Sequence, residues 1–183
     1  MRALVDRARQ GDEEAFGALV GAVGGRCIFI AHRILRDPDL AEDAIQVALV
    51  QVWRELPALR DLERFEAWLH RILVNACYAE ARRSRRIGAN VVLLEKDEPT
   101  VADGYLTVHD RDQLDRGFRR LPAEQRAVLV FHRALGLTMP EVADHLGIPL
   151  GTAKSRLSYA TAAIRASLEA DARTPILDQE NLA

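Results

Sequence analysis

Six side chains between positions 152 and 159 carry the densest chemistry in the chain: Thr152, Lys154, Ser155, Arg156, Ser158 and Tyr159. Lysine and arginine reach guanine edges or phosphates, and Ser, Thr and Tyr hydroxyls hold phosphates or bridge to bases. Ala153 and Leu157 are interleaved with them, four apart and so on one helical face. The set reads as a helix with an apolar side for packing and a small, polar, basic side able to approach a groove. A second set, Arg82-Arg83-Ser84-Arg85-Arg86, places four arginines in five positions at a helix end. Such a run neutralises phosphates, and it also suits the negative end of a helix dipole. A solvated helix terminus has the same composition, so the run alone decides nothing. Trp53 and Trp68 fall on apolar helical faces. Core packing is the default for each, and stacking on unpaired bases is the sharper use.

Enzyme signatures are missing. The chain holds no GxxxxGK[ST], no GxGxxG and no HExxH. His32, His70, His109, His132 and His145 form no metal-ligand spacing with one another or with cysteine. Neither a cofactor nor a metal is expected. Cys27 and Cys77, with no CxxC or CxxH spacing, are expected to be buried reduced thiols.

These residues need helices to position them, and the composition favours helix. Hydrophobic residues make up 49% and aromatics 5%, with Ala, Leu, Arg and Glu dominant. A first helix is expected after Asp12, through Phe16, Leu19, Val20 and Val23, loosened at Gly24-Gly25 and resuming to Leu35. Asp39 is expected to cap a second helix near Leu40, with Glu42 completing a capping box. That helix stops near Leu56-Pro57. A third runs from Phe65 into the arginine run. Periodicity fades over 88–111, where Glu95, Asp97, Glu98 and Asp103 gather with Pro99 and Gly104, and this segment reads as a linker. It returns near Asp112. Pro122 is expected at the first position of a helix. Thr138 and Glu141 have capping-box spacing, and Gly147 suits a left-handed closure. A helix then opens near Gly151. Two helices joined by a tight glycine turn, the second opening on small polar residues, make a helix-turn-helix pattern. The expected fold is all-α, two small helical domains joined by a linker, the C-terminal one a helix-turn-helix. The boundaries are 1–87, 88–111 and 112–172, with a tail over 173–183.

Net charge is −2 over 183 residues. Residues 1–86 carry 14 basic and 13 acidic side chains, and residues 112–183 carry nine of each. A self-sufficient DNA binder shows a basic excess. Neither half has one, so a partner must supply much of any DNA affinity. No apolar stretch reads as long enough to span a bilayer, and the N-terminus lacks a signal-like segment, so a cytoplasmic protein without membrane insertion is expected.

Three stretches carry a family resemblance. Asp39-Leu40-Ala41-Glu42-Asp43-Ala44-Ile45-Gln46 with Val52-Trp53 is similar to the core-binding helix of bacterial sigma region 2. Phe65 to Ile72 with Asn75 resembles the promoter-melting helix of that region. Leu121-Pro122 and Leu137 to Leu157 resemble sigma region 4. Their order and the acidic linker resemble the extracytoplasmic-function (ECF) group, over about residues 3–170. The resemblance implies a non-enzymatic subunit that directs core RNA polymerase to promoters. It implies core contacts from Asp43, Gln46, Val47 and Gln51. Val47 stands where many relatives carry an acid. It implies capture of an unpaired minus-10 base by Leu59, Arg60, Asp61, Leu62 and Glu63, with Trp68, Arg71, Asn75, Arg82 and Arg83 along the melted strand. It implies minus-35 contacts from the six residues at 152–159, and an anti-sigma partner. Two other readings stay open: a stand-alone helix-turn-helix regulator, and a helical interaction module with solvated charges.

Overall fold

The computed structural model describes residues 1–88 and 116–173, and every regular element among them is helical. Helix α1, Arg2–Arg9, precedes the first helix expected from the sequence and buries Val5 and Ala8. Helix α2, Glu13–Leu35, is capped by Asp12, whose carboxylate accepts from the Ala15 N–H at 2.9 Å. It runs unbroken through Gly24-Gly25. The buried Leu19, Val23, Cys27, Ile30, Ala31 and Ile34 carry it past them, because packing outweighs the roughly 1 kcal/mol each glycine costs. By length and composition α2 is apolar enough to cross a bilayer, which corrects the expectation that no stretch qualifies. Its buried stripe is occupied here by neighbouring helices of the same chain.

Helix α3, Pro38–Glu55, starts earlier than expected. Asp37, not Asp39, is the cap, and its carboxylate accepts from the Leu40 N–H at 3.0 Å. Pro38 fixes the register, since its ring is pre-set for the first helical position and its missing N–H is not needed there. Short 3-10 turns at Leu56–Ala58 and Leu62–Arg64 lead to α4, Phe65–Gly88. Helices α1 to α4 enclose Leu19, Ile30, Ile34, Val52, Leu56, Leu69 and Leu73, each essentially without solvent contact. Burial of side chains this size stabilises by about 1.5–3 kcal/mol apiece. Cys27 and Cys77 lie in this core as free thiols, and burial pushes them up to about 11 and about 12.

In the C-terminal half, residues 116–119 are helical. Pro122 is the N-cap of α5, Ala123–Leu129, one position earlier than expected. A π turn, Val130–Ala134, continues it, with the Leu135 N–H donating to the Val130 carbonyl at 3.0 Å. Helix α6, Met139–Leu146, opens on the expected capping box: the Glu141 carboxylate accepts from the Thr138 N–H at 2.8 Å and from its hydroxyl at 2.6 Å. Gly147 closes α6 at φ +64°, the left-handed region glycine enters without penalty. Helix α7, Leu150–Arg173, follows. The linker expected over 88–111 and the tail expected over 173–183 lie outside the described residues, apart from Gly88 and Arg173, which end α4 and α7. Buried residues of both halves join in one apolar cluster.

Candidate nucleic-acid interface and domain junction

Helix α7 presents Lys154, Ser155, Ser158 and Tyr159 to solvent, with Tyr159 67% exposed. Ala153 and Ala160 are buried beneath them. The Ser155 hydroxyl donates to the Thr152 carbonyl at 3.0 Å, so it stays close to the helix backbone. Thr152 is half-buried. Arg156 is half-buried too, and its Nη1 is buried with no hydrogen-bond partner among the described residues. Five of the six predicted residues thus line one side of α7, and Arg156 is drawn toward the N-terminal half, near Tyr78.

On α4, Trp68, Arg71, Asn75 and Arg82 follow a spacing of three, four and seven, which makes one stripe. Arg71, Asn75 and Arg82 are exposed and Trp68 is half-buried, 6.1 Å from Phe65 between ring centres. Arg83 leaves the stripe and pairs with Asp43 of α3 at 2.9 Å. The loop Leu59 to Glu63 lies at the N-terminal end of α4, with Arg60, Asp61 and Glu63 exposed. Asp61 holds the loop by accepting from the Glu63 N–H at 3.0 Å.

The outer face of α3 shows Asp43, Gln46, Val47 and Gln51 to solvent. Val47 is 53% exposed, and Val50, absent from the sequence-based set, is 50% exposed. Two bare valines one turn apart, ringed by polar groups, suit a protein partner better than DNA. Their alternation with buried Ala44 and Ala48 was the available signal for Val50. Trp53 borders this face, 37% exposed, with its ring edge-on to Phe16 at 4.7 Å.

Sigma-70 region 2 matches residues 19–87, and Sigma-70 region 4 matches residues 111–164. The ECF RNA polymerase sigma factor SigM of Mycobacterium tuberculosis is 34% identical over 152 residues, covering 83% of this chain and 76% of the relative. The chain belongs to the ECF RNA polymerase sigma factors. The ECF sigma-E factor of Escherichia coli is 28% identical over 173 residues, 88% of this chain and 90% of its own. Among solved structures, CnrH in complex with the cytosolic domain of CnrY superposes with a TM-score of 0.64 at 27% identity, covering 93% and 97% of the two chains. RpoE in complex with the anti-sigma factor NepR from Bartonella quintana gives 0.66 at 25%, covering 85% and 98%. As a sigma factor, the chain directs RNA polymerase to promoters and serves transcription initiation.

Region 2 and region 4 of this sigma factor meet at α4 and α6. Asp144 pairs with Arg64, and its carbonyl accepts from Arg71 at 2.9 Å. His70 and His145 share a hydrogen bond between their Nδ1 atoms at 2.8 Å, and the His70 ring stands edge-on to Phe131 at 5.2 Å. The periodic pattern of each domain gave no signal for Asp144 or His145, because it encodes packing within an element and not which faces meet across domains. The junction also buries groups poorly. Tyr78 Oη, Arg126 Nε and Arg156 Nη1 have no partner among the described residues. Burial, and then Arg36 and Arg85, push Arg126 down to about 10. Buried charge without compensation weakens an interface.

The junction is acid-sensitive. Burial, then the neighbouring His145 and Arg26, hold His70 down at about 3. Burial also lowers His145, against the pull of Asp144, Glu66 and Glu141. The folded protein therefore refuses protons that the unfolded chain accepts below about pH 6.5. Stability from this pair is present above that pH and is lost as pH falls toward 3. Acidification from pH 7.5 to 5 should cost about 2 kcal/mol from His70, at 1.36 kcal/mol per unit. Urea midpoints against pH measure it, and His70→Phe should flatten the dependence.

Proposed function

We propose that the two regions divide the promoter as the resemblance implies. Region 2, over 1–87, docks on core polymerase through Asp43, Gln46, Val47, Val50 and Gln51. Its loop 59–63 takes an unpaired minus-10 base, while Trp68, Arg71, Asn75 and Arg82 track the melted strand. Region 4, over 112–172, sets α7 in the minus-35 major groove. RNA synthesis belongs to the polymerase, and the chain acts in the cytoplasm. The carrying observation is that an exposed apolar face on α3, a polar stripe on α4 and a small-residue basic face on α7 occur on one chain in the order of the two matched regions. Near-zero charge in both halves argues against a stand-alone regulator, since phosphate attraction supplies most of such a protein's DNA affinity.

The reading requires the regions to part. Elements about 25 base-pair steps apart lie roughly 85 Å apart at 3.4 Å per step. In the packed arrangement Arg71 touches Asp144. The segment 89–115 reaches roughly 90 Å at about 3.3–3.6 Å per residue, so its length meets the demand. The unpaired charges at the junction favour such a separation. A protein inhibitor that holds the regions together fits the same logic, and the two solved neighbours were each captured with a bound partner.

Lys154→Ala tests the minus-35 assignment. Affinity of the holoenzyme for promoter DNA should drop, and its log–log salt slope should fall by about one. An unchanged slope and affinity would remove Lys154 from the DNA face.

A further inference from the structure

An open cleft of about 670 Å³ lies between α1 and the loop at the head of α4. Its volume falls within the range of small-ligand pockets. Ala3, Asp6 and Arg9 line it from α1, and Arg60 and Leu62 from the loop. Neither the resemblance nor the region 2 match, which begins at residue 19, reaches α1.

The two walls are tied together by side chains. Arg9 donates to the Leu59 carbonyl at 3.3 Å and to the Asp6 carboxylate at 2.9 Å. Gln10 donates to the other Asp6 oxygen at 3.3 Å. Arg2 pairs with Glu63 at 2.7 Å across the rim. Asp6 is thus oriented by two donors while its carboxylate keeps further lone pairs, of about four in all. Val5 and Ala8 are buried on the opposite side of α1, which fixes the helix face that carries Asp6.

A cleft with an oriented acceptor, a guanidinium beside it and apolar Ala3 and Leu62 matches the edge and face of a nucleobase. Carboxylates accept from exocyclic amines, and a guanidinium donates to adjacent ring nitrogens or carbonyl oxygens. Adenine, cytosine and guanine carry such an amine and thymine does not. A base leaves the stack only where a shaped pocket reads its freed edge. We propose that this cleft seats one unpaired minus-10 base bearing an exocyclic amine, and that Asp6 is the residue that selects it. The proposal rests on the reading that loop 59–63 faces the melted strand. It adds α1 as the second wall of that site and disfavours thymine at one position.

The test uses the full-length protein with core polymerase on a promoter library randomised across the minus-10 element, read by sequencing the transcripts. The wild type should enrich one amine-bearing base at one position, and the library reports which of the three it is. Asp6→Ala should weaken that preference about tenfold while other positions keep theirs. Asp6→Asn, which retains the size and one acceptor but adds a donor, should shift the preference toward bases presenting carbonyl oxygens. Arg2→Ala, which loosens the rim without touching Asp6, should lower output from all sequences alike. Uniform loss of output in Asp6→Ala with its base preference intact, or a wild-type preference for thymine at every selective position, would overturn the proposal. If Asp6→Ala makes no transcript, an unaltered preference in Asp6→Asn overturns it equally. Failure of the underlying reading looks different, because the wild type itself would then give no promoter-directed transcript.

Discussion

Replacing Val47 and Val50 together by Asp is expected to weaken binding to core polymerase by at least about 30-fold, or roughly 2 kcal/mol. The two side chains lie one turn apart on α3 and are each about half exposed. Covering a valine stabilises by about 1.5–3 kcal/mol when burial is complete, and a carboxylate placed in the same contact must be desolvated without a partner. The flanking Gln51 is already engaged by Glu55 at 3.0 Å, and Asp43 by Arg83, so the valines are the uncommitted part of the face. Because they meet only solvent in the free protein, the double variant should keep its circular dichroism and melting profile. Titration of fluorescently labelled protein with core polymerase measures the effect. Unchanged affinity would move the core contact away from α3.

Phe131→Ala is expected to destabilise the chain by about 3–5 kcal/mol, the usual cost of emptying a fully buried phenylalanine site. Phe131 has no solvent contact. It sits in the π turn after α5, where it joins the region 4 core and also meets His70 at 5.2 Å and His145 at 6.0 Å between ring centres. Its removal therefore opens a cavity in region 4 and strips the apolar partner from the histidine pair. Urea unfolding should show the lower midpoint. Phe131→Leu, which refills most of the volume, should cost less than about 1.5 kcal/mol. Equal losses in the two variants would point to ring-specific contacts with the histidines in place of volume.

Both predictions depend on features that differ in how visible they were in the sequence. The apolar periodicity of α2, α3 and α4, the Thr138–Glu141 box and the glycine closure at 147 are local signals, each written within a few residues, and all of them appear as expected. The choice between Asp37 and Asp39 as a cap turned on Pro38, whose fixed φ sets where the helix begins. Helix α1 was missed because eight residues with only Val5 and Ala8 facing inward give too short a stripe to register. The unbroken course of α2 through two glycines depends on tertiary packing that outweighs propensity. Most of the functional surface was legible, since α4 and α7 place their polar residues by spacing alone. The exceptions are pairings between elements: Arg83 with Asp43, Arg71 with Asp144, and His70 with His145. Sequence periodicity places a residue on a face, and only the fold decides what that face meets.

The central claim is that one chain supplies both promoter-reading surfaces and acts only with its polymerase. Run-off transcription with purified core polymerase tests it most directly. Adding the protein should produce discrete transcripts from a fixed start site, and should protect DNA on both the minus-10 and minus-35 sides of one promoter. The protein alone should protect neither at the same concentration. Equal protection without polymerase, or a footprint confined to the minus-35 side with no transcript, would contradict the account.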